Sequence, residues 1–313
     1  MGIKRISAYA AIYLFWGGSY LAIRYVVEVV PPFFAAGLRY TLAGLILIAF
    51  SMGIKRQPLP DRHQIFNAIT TGIALLTISY GVVYWAETRL SSWIVAVIGS
   101  TIFLWTYLGE CLVLHVDRPR AKMLLPLIAG LSGMPLLLKT TFDQGQVKSL
   151  VAAIAVLLGS CLWAATILTI KQIKLPRSYI QTAALQMTSS GLTLFCISWF
   201  SGEISRLPSA QRMLSSKPLF AMAYLVIASS VLAFTAFHWL LVHESAALVA
   251  SSAYVNPMVA MLLGIAAVHE RSSPMQLLGA AIILGSIVLI WFMQSRSEPR
   301  RSKQVANVLR EVQ

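Results

Sequence analysis

Aromatic and polar residues recur at helical spacing in this sequence, and they are the groups that could recognise a ligand. Trp16, Tyr20 and Arg24 stand at i, i+4 and i+8, so a helix places them on one face. Tyr80, Tyr84 and Glu87 make a second stripe at i, i+4 and i+7, and Phe234 and His238 lie one turn apart. All sit in apolar runs, where an indole, a phenol or an imidazole offers stacking and one directed hydrogen bond. Packing between helices produces the same stripes, so spacing alone does not separate a site from a core. Arg39 differs in kind, because a guanidinium inside an apolar run costs on the order of 2.5 kcal/mol or more unless it is paired. Glu28 and Glu87 are its nearest carboxylates by depth. An ion pair with either, or the anionic group of a substrate, would satisfy it.

Other polar groups are read the same way. Gln186, Ser189 and Thr193 share a helical face and fit hydrogen bonding between helices as well as ligand contact. In Ala253-Tyr254-Val255-Asn256-Pro257, the proline removes the donor for the carbonyl of Ala253. A freed carbonyl at membrane depth survives only against protein or a wet cavity, so Tyr254 and Asn256 at that break are candidate binding groups and Pro257 a candidate hinge. Gly17 and Gly18 permit close helix approach or a local break, and join Pro257 as hinge candidates. Glu110 is the intramembrane carboxyl that could take up a proton, with snorkelling to the surface as its ordinary role. No nucleophile elbow, HExxH or phosphate loop occurs. Cys111, Cys161 and Cys196 show neither CxxC spacing nor a histidine partner, so no metal site and no cofactor is expected.

The elements that must position these residues follow from composition. Of 313 residues, 58% are hydrophobic and 12% charged, about half the charge of a soluble domain. The net charge of +14 would suggest nucleic acid in a soluble chain. Here the cations fall between apolar runs, which excludes nucleic acid as a partner and points to the lipid bilayer. Crossing the hydrocarbon takes about 20 apolar residues. Such segments lie at 6–27, 32–52, 65–86, 92–114, 123–138, 149–170, 179–200, 218–242, 246–268 and 274–294. The first runs into Arg24 without a small-residue cleavage site and is read as a span rather than a leader.

The ten segments form two sets of five. Trp16-Gly17-Gly18-Ser19-Tyr20 through Arg24 returns 147 residues later as Trp163-Ala164-Ala165-Thr166-Ile167 through Lys171. The same shift carries Gly44 onto Gly191 and Arg39 onto Gln186. An odd number of spans per unit inverts the second unit in the membrane. The expected fold is therefore all-α, with ten transmembrane helices in two inverted five-helix repeats around a central cavity. The units are residues 1–146 and 147–294, followed by a basic tail at 295–313 that cannot build a core. With the N-terminus inside, sixteen lysines and arginines fall on the cytoplasmic side and eight on the other; the remaining one is Arg39. Both termini are expected in the cytoplasm.

Leu14-Phe15-Trp16-Gly17-Gly18-Ser19 with Arg24, Pro31-Pro32 followed by Gly37-Leu38-Arg39, and Ala253-Tyr254-Val255-Asn256-Pro257 together resemble the EamA family of the drug/metabolite transporter superfamily. Glu270, Gly279 and Gly285 add to the likeness, which covers about residues 6–294 and is closest to the ten-span bacterial inner-membrane exporters. That resemblance implies a basket of spans one to four and six to nine around a substrate cavity. It would place Trp16, Tyr20, Arg39, Tyr80, Tyr84, Trp163, His238, Tyr254 and Asn256 in or near it. Two departures fall in the first repeat: Phe103 stands where the match to Pro257 would be, and Val116 where the match to Glu270 would be. A fourth span without proline is expected to be the more rigid of the pair.

The function these readings support is secondary transport of a small-molecule substrate by alternating access. Export of an amino acid or amphipathic compound leads, import or facilitated diffusion is the alternative, and proton coupling stays open. A polytopic membrane enzyme would need convergent catalytic groups at one membrane face, and the sequence shows none.

Overall fold

The computed structural model describes residues 3–54, 58–112, 121–139, 147–244, 249–250, 252–268 and 273–295. Within them the longer helical stretches follow in order, with short helical turns at Ile204–Arg206 and Ala210–Met213 between the seventh and eighth. They are α1 (Ile3–Val27), α2 (Pro32–Ala49, continued by a π-helical turn at Phe50–Ile54) and α3 (Arg62–Ala86). Next come α4 (Ser92–Gly99 and Ile102–Leu112), α5 (Ala121–Leu137), α6 (Val147–Ile170) and α7 (Tyr179–Phe200). The last are α8 (Ser216–His243), α9 (Ser252–Val268) and α10 (Pro274–Ser295). Among the described residues, six stretches are long and apolar enough to cross a membrane: α1, α2, α3, α4, α6 and α8. Leu14, Leu158, Phe200 and Phe220 face outward while Arg39, Gln186, Ser190 and His238 are buried. Apolar outside and polar inside is the pattern a lipid solvent selects.

Local sequence sets several helix ends. Asp61 accepts from Gln64 N at 2.8 Å while the Gln64 side chain accepts from Asp61 N at 3.2 Å, a capping box that starts α3. Ser273 and Gln276 make the same reciprocal pair at the start of α10. Gly202, at φ 70, ends α7 in the left-handed conformation, and Glu203 N returns to the carbonyl of Ser198 at 3.0 Å. This turn aims the buried Glu203 carboxylate at the other half of the molecule. It accepts from Phe34 N at 2.9 Å and Phe33 N at 3.3 Å, satisfying the first turn of α2, where Pro31 and Pro32 leave no local cap. Glu203→Ala is expected to lower stability by about 1–2 kcal/mol, read as a lower melting temperature, with Glu203→Gln intermediate.

The main helix pairings survive exchange of the two halves. α1 packs on α8 and α9, and its counterpart α6 packs on α3 and α4. α2 lies against α8 and α7 against α3, while α2–α7 and α5–α10 are self-exchanging pairs. At the α2–α7 crossing, Gly44 faces Thr188 and Gly191 faces Thr41, each partner 147 residues from its equivalent. Small residues there let two backbones meet, as association in lipid requires.

Helix irregularity falls at places the sequence did not mark. α1 runs unbroken through Gly17 and Gly18, so neither introduces a local break. They serve close approach instead: a Cβ at Gly17 would lie 2.7 Å from the Cβ of Val259, and one at Gly18 would lie 2.6 Å from the Tyr224 hydroxyl. α9 continues through Pro257, whereas α4, expected to be the rigid rod, is interrupted at Ser100–Thr101. There the hydroxyls of Ser100 and Thr101 bond the carbonyls of Val97 and Ile98 at 2.6 and 2.7 Å, competing with the helical ladder. π-helix also lies within α3 (Ile73–Ser79) and α8 (Leu225–Leu232), which are counterpart helices.

Candidate functional site

α1, α3, α4, α6, α8 and α9 surround a narrow central cavity of about 40 Å³, part of it open to the surroundings. Trp16 and Tyr20 reach it from α1, Tyr80 from α3 and Trp163 from α6. Trp16 and Trp163, equivalent in the repeat, meet edge to face with ring centroids 6.2 Å apart. Tyr80 leans on Trp163 at 5.2 Å and Phe237 on Trp16 at 5.2 Å, completing an aromatic box. Polar groups enter at Ser100 on α4, and at Ser252 and Asn256 on α9. With its nitrogen toward them, the Asn256 amide donates to the carbonyls of Tyr13 at 3.1 Å and Ser252 at 3.3 Å. No carboxylate or cation lines this cavity among the described residues.

Trp16 is held by the irregular part of α8. Its indole Nε1 donates to the carbonyl of Ser229 at 3.1 Å, inside the π-helical segment. The wider turn there leaves a carbonyl available to a side chain, a recurrent use of π-helix at functional sites.

Arg39 lies behind the aromatic wall, 2% exposed. Its Nε donates to Ser230 Oγ and its Nη2 to Ser229 Oγ, both at 2.8 Å, and its Nη1 donates to the Tyr84 hydroxyl at 3.2 Å. The guanidinium carbon stands 4.9 Å from the Tyr40 ring centre and 6.0 Å from that of Tyr80. Glu28, one of the two carboxylates expected near Arg39, is engaged by a neighbouring cation: it pairs with Arg24 at 3.3 Å, one helical turn away. Glu87 is buried at the end of α3, and its carbonyl accepts from Arg24 at 2.5 Å. α8 brings two serines to the guanidinium, and with Tyr84 three of its donor directions are met by hydroxyls.

The equivalent position, Gln186, repeats this arrangement with neutral groups. Its amide donates to Thr71 Oγ1 at 2.9 Å, and its oxygen accepts from His238 Nε2 at 2.7 Å, which places the imidazole proton on Nε2. Arg39 thus bridges α3 and α8, and Gln186 bridges α8 and α3. His238 does not reach the central cavity. It lies on a second cavity of about 500 Å³ beside Lys171, Arg177 and Tyr179, between the ends of α6 and α8 and the start of α7.

Of the residues singled out by sequence, Trp16, Tyr20, Tyr80, Trp163, Asn256 and Pro257 converge on the central cavity. Arg39 and Tyr84 form its second layer, His238 belongs elsewhere, and the side chains of Tyr254 and Glu110 lie outside the described residues. Phe237, Ser100 and Ser252 were missed.

The profile of the EamA-like transporter family matches residues 5–138 and 150–292. The uncharacterized inner membrane transporter YedA of Escherichia coli (strain K12) is 33% identical over 282 residues, covering 90% of this chain and 88% of its own. Protein PecM of Dickeya dadantii (strain 3937) is 26% identical over 300 residues, covering 93% and 92%. A solved crystal structure shares the fold with TM-score 0.64 at 18% identity, over 93% of this chain and 97% of that one. Two matched units in one chain and the YedA relative make this chain a membrane transporter of the EamA-like family in the drug/metabolite transporter superfamily.

Proposed function

We propose that this chain is a ten-span inner-membrane exporter of a small metabolite with a flat apolar body and a neutral polar end, working by alternating access. The two inverted units are residues 1–146 and 147–294, with both termini and the basic segment 295–313 in the cytoplasm. The observation that carries this reading is the pairing of Trp16 with Trp163 across a cavity built from both repeats. A ligand held at the junction of two equivalent units can be offered to either face with little change in its own contacts. YedA's description as an inner membrane transporter supports the location.

Because hydroxyls occupy Arg39, the substrate's polar end falls to Asn256, Ser100 and Ser252 rather than to a free guanidinium. This moves the preferred cargo from an anion toward a neutral amphipathic compound. Cells overproducing the chain are expected to raise the outside level of one such metabolite, and Trp163→Ala should return it to the empty-vector level with the protein still in the membrane. Loss of one aromatic wall should weaken binding about tenfold. Accumulation inside the cell would make the chain an importer, and no difference across the metabolome would defeat the export reading.

A further inference from the structure

The cations that close the two repeated runs, Arg24 and Lys171, stand 147 residues apart and do not touch the cavity. Arg24, near the end of α1, donates to the carbonyl of Glu87 at the end of α3, at 2.5 Å. Lys171, just beyond α6, donates to the carbonyl of Glu244 at the end of α8, at 2.8 Å. α1 and α6 are counterparts, as are α3 and α8, so one contact occurs twice. In both cases a cation meets the last carbonyls of a helix, where the ladder has no donor left and the dipole favours positive charge.

The two contacts lie at opposite ends of the bundle. Arg5, at the start of α1, forms an ion pair with Glu244, while Arg24 sits 19 residues further along the same helix. At 1.5 Å per residue that is about 28 Å, close to the thickness of the hydrocarbon core. Trp16 and Tyr20 line the cavity between the two. At the Arg24 end, α6 is fastened as well, through Ser149 Oγ and the carbonyl of Arg89 at 3.3 Å.

We infer that Arg24 and Lys171 are a symmetric pair of latches, each holding the cavity shut at one face of the membrane, so that release of one rather than the other decides which side the substrate sees. The inference rests on the alternating-access reading above. Both latches are closed here. Neither residue contacts the substrate; each is a positioning residue that ties the α1 or α6 end to the partner helix of the opposite wall.

The test uses the full chain with Cys111, Cys161 and Cys196 replaced by serine and a single reporter, Ser100→Cys or Ser252→Cys, facing the cavity. A membrane-impermeant thiol reagent is applied to right-side-out and inverted vesicles. Arg24→Gln should raise the outside-to-inside ratio of labelling rates about tenfold, equal to about 1.4 kcal/mol, and Lys171→Gln should lower it by a similar factor. Arg24→Lys and Lys171→Arg should stay near the parent value. A purely structural role would move both glutamine variants in the same direction or in neither, and either result overturns the latches. Opposite shifts of reversed sign would keep the latches and reverse the topology. A parent protein labelled from one face only would defeat alternating access itself. If a glutamine variant does not accumulate, cysteines at Arg24 and Thr88 joined by a bifunctional thiol reagent should abolish outside labelling alone; persistence of outside labelling rejects the idea.

Discussion

Valine in place of Gly44 or Gly191 should abolish folded protein in the membrane, with each substitution about as damaging as the other. A Cβ at Gly44 would lie 2.7 Å from the backbone nitrogen of Thr188, and one at Gly191 would lie 2.5 Å from that of Thr41. Backbone cannot swing aside as the tip of a side chain can, so α2 and α7 must separate along their length. Overpacking in a tight core costs about 1–3 kcal/mol and more where nothing can yield. In lipid the loss is not recovered by burying apolar surface elsewhere, because the tails around the bundle are as apolar as its side chains. The crossing also carries Gln186 against Gly72, so its opening disturbs the hydrogen-bonded layer behind the cavity. Gly285→Val is the matched control, since a Cβ there meets nothing within 4 Å. The measurement is the monodisperse fraction and melting temperature of detergent-extracted protein. A Gly44→Val protein that melts with the wild type would show that α2 and α7 do not cross this closely.

The sequence displayed the repeat, an all-helical apolar chain and most of the aromatic box, because these rest on period and composition. Trp16 and Tyr20 could be read from i, i+4 spacing, and Trp163 from the duplication. What escaped depends on contacts between distant residues or on backbone irregularity. Arg39 was legible as a buried charge, but its partners Ser229 and Ser230 lie 190 and 191 residues away and carry no charge to attract attention. Glu203 looks like a loop residue and is in fact the cap of a helix in the other half. The π-helical segments of α3 and α8 have no proline or glycine run to announce them, and they shift the register that pattern reading assumes. α4 breaks without a proline, at a serine and a threonine whose hydroxyls bond their own helix.

Arg39 is where the second large effect is expected, and the geometry separates two substitutions. Arg39→Lys should leave the protein in the membrane and lower transport about tenfold, whereas Arg39→Met should lower transport further and reduce thermal stability. The guanidinium reaches Ser229 and Ser230 on one edge and Tyr84 on another, so it joins α8 to α3 through a rigid fork. A lysine ammonium offers its donors from a single point and cannot span those acceptors, so one or two hydrogen bonds to the charge are lost. Each is worth about 1.5–3 kcal/mol. The consequence reaches the cavity through α8: Arg39 holds the hydroxyls of the same π-helical turn whose Ser229 carbonyl receives the Trp16 indole. Loosening that turn frees Trp16 to leave the edge-to-face contact with Trp163, and the aromatic box loses its shape. Ser229→Ala and Ser230→Ala should therefore each give a milder form of the same defect. In a double-mutant cycle, their effects should shrink when Arg39 is already lysine. Replacing a buried charge by an apolar side chain can also stabilise a protein. If Arg39→Met melted higher and transported at the wild-type rate, the link from Arg39 through α8 to Trp16 would be wrong.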